Sequence, residues 1–201
     1  MDGPSEPSPR FEAAIAAIDA ANADDPHTIV VRGAARPKEQ AHAELMTEWV
    51  RRLDPSADEA QLLAARAHHL RRWTSPRSDY PPGRAGYLRW RTALKARHAE
   101  EVGAILGDCD YDAATVERVQ AIVRKDHLRT DPATQTHEDA LCLTFLETRL
   151  AGVGDQLGDE KTVEVLRRTW AKMSPRGREA AQTLDLAPTQ RELLERAIDP
   201  A

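Results

Sequence analysis

Apolar residues recur at helical spacing along nearly the whole chain. Phe11, Ala14, Ile15 and Ile18 share one face of a first helix, started by Ser8 as cap with Pro9 at the first helical position and ending near Asn22. From Pro37 onward, His42, Leu45, Met46, Trp49, Val50 and Leu53 mark a second helix, stopped at Asp54 and Pro55. A third is expected from about Asp58 to Trp73, ended by Ser75 and Pro76, and a long fourth from about Arg84 to Gly107. Asp112 caps a fifth that carries Val116, Val119, Ile122 and Val123. After the Asp131-Pro132 break, Thr136 opens a sixth with Leu141, Leu143, Leu146 and Leu150. Glu160 to Met173 forms a seventh, Ser174 and Pro175 start an eighth, and Thr189 to Ile198 is a last short one.

One stretch breaks the pattern. Thr28 to Arg32 is β-branched and runs into Gly33, but a lone strand of that length has no evident partner, so an extended connector is expected there. The loop from Thr74 to Gly83 holds Pro76, Pro81 and Pro82 and is therefore stiff, a suitable rim for a site. The periodicity predicts an all-α, single-domain bundle of about eight to nine helices over residues 9–187. A disordered N-terminus over 1–8 and a C-terminal short helix and tail over 188–201 flank it.

Composition agrees with this reading. The hydrophobic fraction of 41% is rich in alanine and the aromatic fraction is only 4%, which favours closely approaching helices over sheets with large β-branched faces. No apolar run approaches the roughly 18 residues of a membrane span. Met1 to Arg10 is acidic and Pro/Ser-rich where a signal peptide is basic and then apolar. A soluble, cytoplasmic protein is expected, with no membrane partner. Cys109 and Cys142 have no metal-like spacing and read as small free thiols.

Charge changes the picture. Between Arg66 and His98 stand nine Arg and Lys residues against one acid, Asp79, so this stretch carries +8 in a chain whose net charge is −5. Such segregation is self-repelling unless an anion compensates it, and guanidinium groups suit bidentate contact with phosphate. The expected partner is an anionic, phosphorylated small molecule, with nucleic acid behind it.

Histidines supply the candidate chemistry. His42, His69 and His98 each fall on the apolar face of their helix, and Asp139 precedes Cys142, Leu143, Leu146 and Leu150 on one stripe. If these stripes converge, they offer a nitrogen and oxygen set suited to a divalent transition metal, Mn, Fe, Zn or Ni. Glu101, Glu138 or Glu147 would add a ligand or support. Asp139 has an equal competing role, returning to the Thr136 amide as a capping box. His68 faces Ala64 and Arg72, toward the basic region, and His27, His127 and His137 are expected exposed near loops. Gly83-Arg-Ala-Gly86 lacks the Lys and preceding strand of a phosphate loop. The basic run Arg167, Arg168, Lys172, Arg176 and Arg178 around Trp170 could extend an anion site at the Ser174 helix start, although a solvated helix end accounts for it more simply.

Several segments resemble the domain of unknown function family 4202. They are Phe11-Glu-Ala-Ala-Ile15, Leu63-Ala-Ala-Arg-Ala-His-His69, Pro76-Arg-Ser-Asp-Tyr-Pro81, Arg84-Ala-Gly-Tyr-Leu-Arg-Trp-Arg91 and Trp170-Ala-Lys-Met-Ser-Pro-Arg-Gly-Arg178. That resemblance implies no activity. A looser one is to the HD superfamily of metal-dependent phosphohydrolases, with His42, His69 and Asp139 in the family's order and His98 where two-metal members add a histidine. The His-Asp doublet is missing, since His69 is followed by Leu70. The resemblance implies an HD-like helical domain and a metal-dependent phosphohydrolase. In such an enzyme Arg72, Arg77, Arg84 and Arg91 would bind phosphate, Trp73, Tyr80 and Tyr87 would stack on the substrate, and Arg91 and Glu138 are the catalytic candidates. An iron oxygenase on the same scaffold, and a non-catalytic RNA- or partner-binding module, are the alternatives. The helices of Trp49 and Trp90 offer a homodimer face.

Overall fold

The structure, a computed structural model, describes residues 8–198. Among these the chain is all-α apart from one small hairpin, with helices α1 (Pro9–Ala23), α2 (Lys38–Leu53), α3 (Glu59–Arg66), α4 (Gly83–Asp108), α5 (Ala113–Arg124), α6 (Pro132–Leu157), α7 (Asp159–Trp170), α8 (Pro175–Gln182) and α9 (Pro188–Ile198). Local signals account for most starts. Ser8, Asp58, Asp112 and Ser174 each accept a backbone N–H of the first turn, and Pro stands at the first position of α1, α6 and α8. The disorder expected for residues 1–8 lies outside the described residues save for Ser8, which is the α1 cap.

Thr28 to Val31 is not an isolated connector. It pairs antiparallel with Ala34–Pro37, Thr28 opposite Pro37 and Val31 opposite Ala34. Arg32 and Gly33 turn the chain with φ of +52° and +81°, the double left-handed geometry of a two-residue hairpin. The partner strand was hidden because alanine, arginine and proline have little β preference. Arg32 and Arg36 then tie the hairpin to Glu48 and Glu44 of α2.

The third helix is half its expected length. It ends at Arg66, and the chain passes through tight turns to Arg71, which takes φ of +48° and donates its N–H to the buried Asn22 side chain of α1 at 3.0 Å. A residue from another helix thus ties these turns, and only 3-10 turns at Arg72–Thr74 and Arg77–Asp79 follow. Conversely, α6 begins four residues before Thr136. Asp131 is its cap, accepting from Ala133 N–H, so Thr136 and Asp139 form no capping box.

The core has two lobes. α1, α3, α4 and α5 pack around Ile18, Leu63, Val102, Leu106 and Ile122, and α2, α6, α7, α8 and α9 pack around Met46, Leu143, Leu146, Leu166 and Leu194. Leu62 of α3 touches both. The histidines come from both sides of this seam.

Candidate metal centre and cationic cleft

Glu39 and His42 stand three apart in the first turns of α2 and so share a face. Asp25 fixes this end of the helix by accepting the Glu39 N–H at 2.9 Å. The Glu39 side chain is 1% exposed, yet it is a carboxylate. Its Oε2 lies 3.2 Å from His42 Nδ1 and 3.0 Å from His69 Nδ1, and Lys38 Nζ is 2.9 Å from Oε1. Burial pushes the Glu39 carboxyl up, but the pull of His69 above all holds it far below the usual carboxylate range. Burial pulls His69 down to about 3 against the opposing pull of Glu39. At neutral pH the centre is therefore a carboxylate beside a neutral His69 imidazole.

One ligand atom from each of Glu39, His42 and His69 falls within 4.8 Å of the others, and this two-nitrogen, one-oxygen set suits a divalent transition metal. Proton arithmetic favours a cation among them. Thr148 Oγ1 donates to the Thr144 carbonyl at 2.7 Å and also lies 3.3 Å from His42 Nε2. With its one proton on that carbonyl, Thr148 can only accept from His42 Nε2, which turns the His42 Nδ1 lone pair toward Glu39.

Further imidazoles extend the cluster. The His98 ring centre lies 6.1 Å from that of His69, and the His68 ring 4.2 Å. His98 is 3% exposed and neither ring nitrogen has a hydrogen-bond partner. His68 is buried, with Nδ1 2.8 Å from His137 Nε2.

His42, His68 and His69, with Glu39 behind them, form the floor of a cleft of about 320 Å³, walled by Arg72, Tyr87, Trp90, Phe145 and Arg149. Arg72 stacks 4.9 Å above the Trp90 ring and brings Nη1 to 2.8 Å from His69 Nε2. Trp90 is itself held by donating to the Ser75 carbonyl at 2.9 Å. The cleft continues into a hollow of about 60 Å³ lined by His68, His69, His98, Arg91, Lys95 and Lys125.

Of the residues expected from the sequence, His42, His69, Arg72 and Tyr87 line the cleft, His98 and Arg91 line the hollow, and Glu138 lines a third recess that shares His69, Arg72 and Tyr87 with the cleft. Asp139 does not join them. Its Oδ1 accepts the Ser174 N–H at 2.9 Å and a Gln135 side-chain N–H at 3.0 Å, so it caps α8, where it also takes the anion position offered by that helix start. Arg77 spends its guanidinium on the carbonyls of Tyr80, Pro81 and Gly83 and acts as a staple of the proline loop. Arg84 is exposed at the start of α4, Tyr80 lines a separate hollow with Arg97 and Glu101, and Trp73 sits half-buried in a 3-10 turn away from the cleft lining. Glu147 accepts from Trp49 Nε1 at 2.6 Å and Glu101 pairs with Arg97 at 2.6 Å, so neither serves the histidines. Glu138 pairs with Lys125. His27 and His127 are exposed as expected, but His137 is 1% exposed, because α6 starts early enough to carry it inside.

Sequence reading missed Glu39, Lys125 and Arg149, and it held Lys95 and Lys172 only as members of basic runs. The first had a signal, the spacing Glu39-Gln-Ala-His42, which sets two ligand types on one helix face. Residues 12–194 match the family described as Domain of unknown function (DUF4202). The chain belongs to that family. No curated protein and no solved structure matches it. The DUF4202 match takes in every residue of the centre and the cleft, from Glu39 to Lys172, so the site lies within the family's domain.

Proposed function

We propose that the protein is a cytoplasmic, metal-dependent hydrolase of a phosphorylated small molecule. The observation that carries this reading is the buried Glu39 carboxylate facing two imidazoles at the floor of a cleft whose walls are cationic. Glu39, His42 and His69 would hold the divalent ion, of the Mn, Fe, Zn or Ni class. Bound there, the ion supplies Lewis acidity and lowers the pKa of a water ligand. Arg72 and Arg91 bind the phosphoryl oxygens and offset charge that develops on them. Tyr87 and Trp90 offer flat faces to the rest of the substrate, and Arg72 is pre-set by its stack on Trp90. Glu138, held by Lys125, lines the adjoining recess and can accept a proton from it.

The likeness to the HD superfamily supports this in the order of the histidines alone. Its doublet aspartate is absent here, and Glu39 is the acid of the cluster instead. Arg72, Arg91, Lys95, Lys125 and Arg149 line the cleft and its hollow, an enclosed arrangement that favours a small molecule over RNA. Iron in the same nitrogen-rich set would suit an oxygenase, and oxygen consumption after anaerobic iron loading separates the two. The deciding experiment is metal analysis of the purified protein after loading with each of the four ions, alongside hydrolysis of an aryl phosphate. About one ion per chain with metal-dependent phosphate release is expected. Absence of bound metal under every loading condition rules the reading out.

A further inference from the structure

The hollow that adjoins the cleft carries more cations than carboxylates among the described residues. Arg91, Lys95 and His98 recur along one face of α4, with Arg91 and Lys95 four apart, a spacing at which like charges repel. Neither Arg91 nor Lys95 has an ion-pair partner among the described residues. Lys125 enters from the end of α5, where it adopts φ of +62°, and Arg72 closes the side toward His69. Against these four cations stand two carboxylates, Glu138 on Lys125 and Glu39 behind His69. The nearest other acid, Asp126, is paired with Arg124 at 2.8 Å. An excess of two positive charges remains.

His98 completes the wall: it is 97% buried, and apart from the Leu70 backbone beside it no protein group engages its ring nitrogens. The hollow's 60 Å³ is several times the space that one water requires, enough for a compact oxyanion.

We infer that this hollow is a binding site for a tetrahedral oxyanion of the phosphate class, held by Arg91, Lys95, Lys125 and His98. The inference deepens the proposed function by assigning the place of a phosphoryl group, and it stands on the hollow's own charge rather than on a metal. The opening toward Trp90 and Tyr87 lets the remainder of a phosphate monoester extend into the larger cleft, since the two spaces share His68, His69 and Arg72. Burial and the neighbouring Arg91 lower the pKa of Lys95 against the opposing pull of Glu138 and Asp126.

The test uses the full-length chain, stripped of metal by chelation and titrated calorimetrically with inorganic phosphate at constant ionic strength. One saturable site per chain is expected, and Arg91→Gln and Lys95→Gln should each weaken it about tenfold or more, the usual worth of a charge-assisted hydrogen bond. Arg89→Gln, exposed on the same helix, should leave it unchanged. Glu39→Gln should abolish metal uptake while retaining phosphate affinity, so failure of the metal centre and failure of the oxyanion site give different results. Phenyl phosphate that competes with phosphate identifies the site as one for a substrate's phosphoryl group, and phenyl phosphate that does not compete confines it to the free ion. No saturation up to about 10 mM phosphate, or wild-type affinity in both Gln variants, overturns the inference.

Discussion

Glu39 Oε2 lies 3.0 Å from His69 Nδ1, across thirty positions of sequence. The carboxylate is on the first turn of α2, and the imidazole is on the turn that follows α3. Removing the charge while keeping the shape isolates its role. Glu39→Gln should lower affinity for a loaded transition metal by about a hundredfold or more, as read by equilibrium dialysis. Retained stoichiometric metal would remove Glu39 from the ligand set.

Acid should destabilise the fold through the buried histidines. Burial holds His98 down to about 4 and His137 to about 3, from an ordinary value of 6.5. Both are neutral in the folded chain where the unfolded chain protonates them, so the unfolded state binds more protons between those values. Stability is full above about pH 6.5 and falls as pH drops toward 4, by up to about 1.4 kcal/mol per pH unit for each histidine. Urea midpoints at pH 7 and pH 5 measure this, and equal midpoints would contradict it. Protons compete for His69 only as pH approaches about 3, so metal affinity should hold over this range for as long as the chain stays folded.

Gly177 has no side chain because Asp139 occupies the space. A Cβ there would lie 2.6 Å from Asp139 Cγ. Gly177→Ala should displace the aspartate from the α8 start and cost about 1–3 kcal/mol in thermal unfolding. It should leave the metal centre intact, as metal content can verify, since Asp139 serves α8 and not the histidines.

The proline loop should depend on Arg77 and Gly86. Arg77 satisfies three loop carbonyls, and a Cβ on Gly86 would fall 1.8 Å from the Pro81 carbonyl oxygen. Arg77→Ala and Gly86→Ala should both raise proteolytic cutting between residues 74 and 83. Phosphate affinity should fall less in Arg77→Ala than in Arg91→Gln, because only Arg91 borders the hollow. The reverse ranking would return Arg77 to the anion site.

Helix starts were the most readable features. The caps at Ser8, Asp112 and Ser174 join residues three apart, and such contacts need no distant partner. Endings were less so: α3 stops at Arg66, and the turns beyond it are tied at Arg71 to Asn22 of another helix. His137 was expected near a surface because the start of α6 was placed at Thr136, and an earlier start at Pro132 turns it inward beside His68. Glu39 escaped notice because an acid in a first helical turn is usually accounted for by the helix dipole, and its burial depends on His69 arriving from beyond α3.

The all-α class, most helix positions and the crowding of cations between Arg66 and His98 follow from the residues in order, since periodicity, capping and charge are properties of neighbouring positions. Which acid meets which imidazole does not. Asp139 and Glu39 are both buried carboxylates on helices, yet one caps α8 and the other faces His42 and His69. That assignment arises where the two core lobes pack against each other, because a carboxylate out of water must find its donors among whatever chain folds over it.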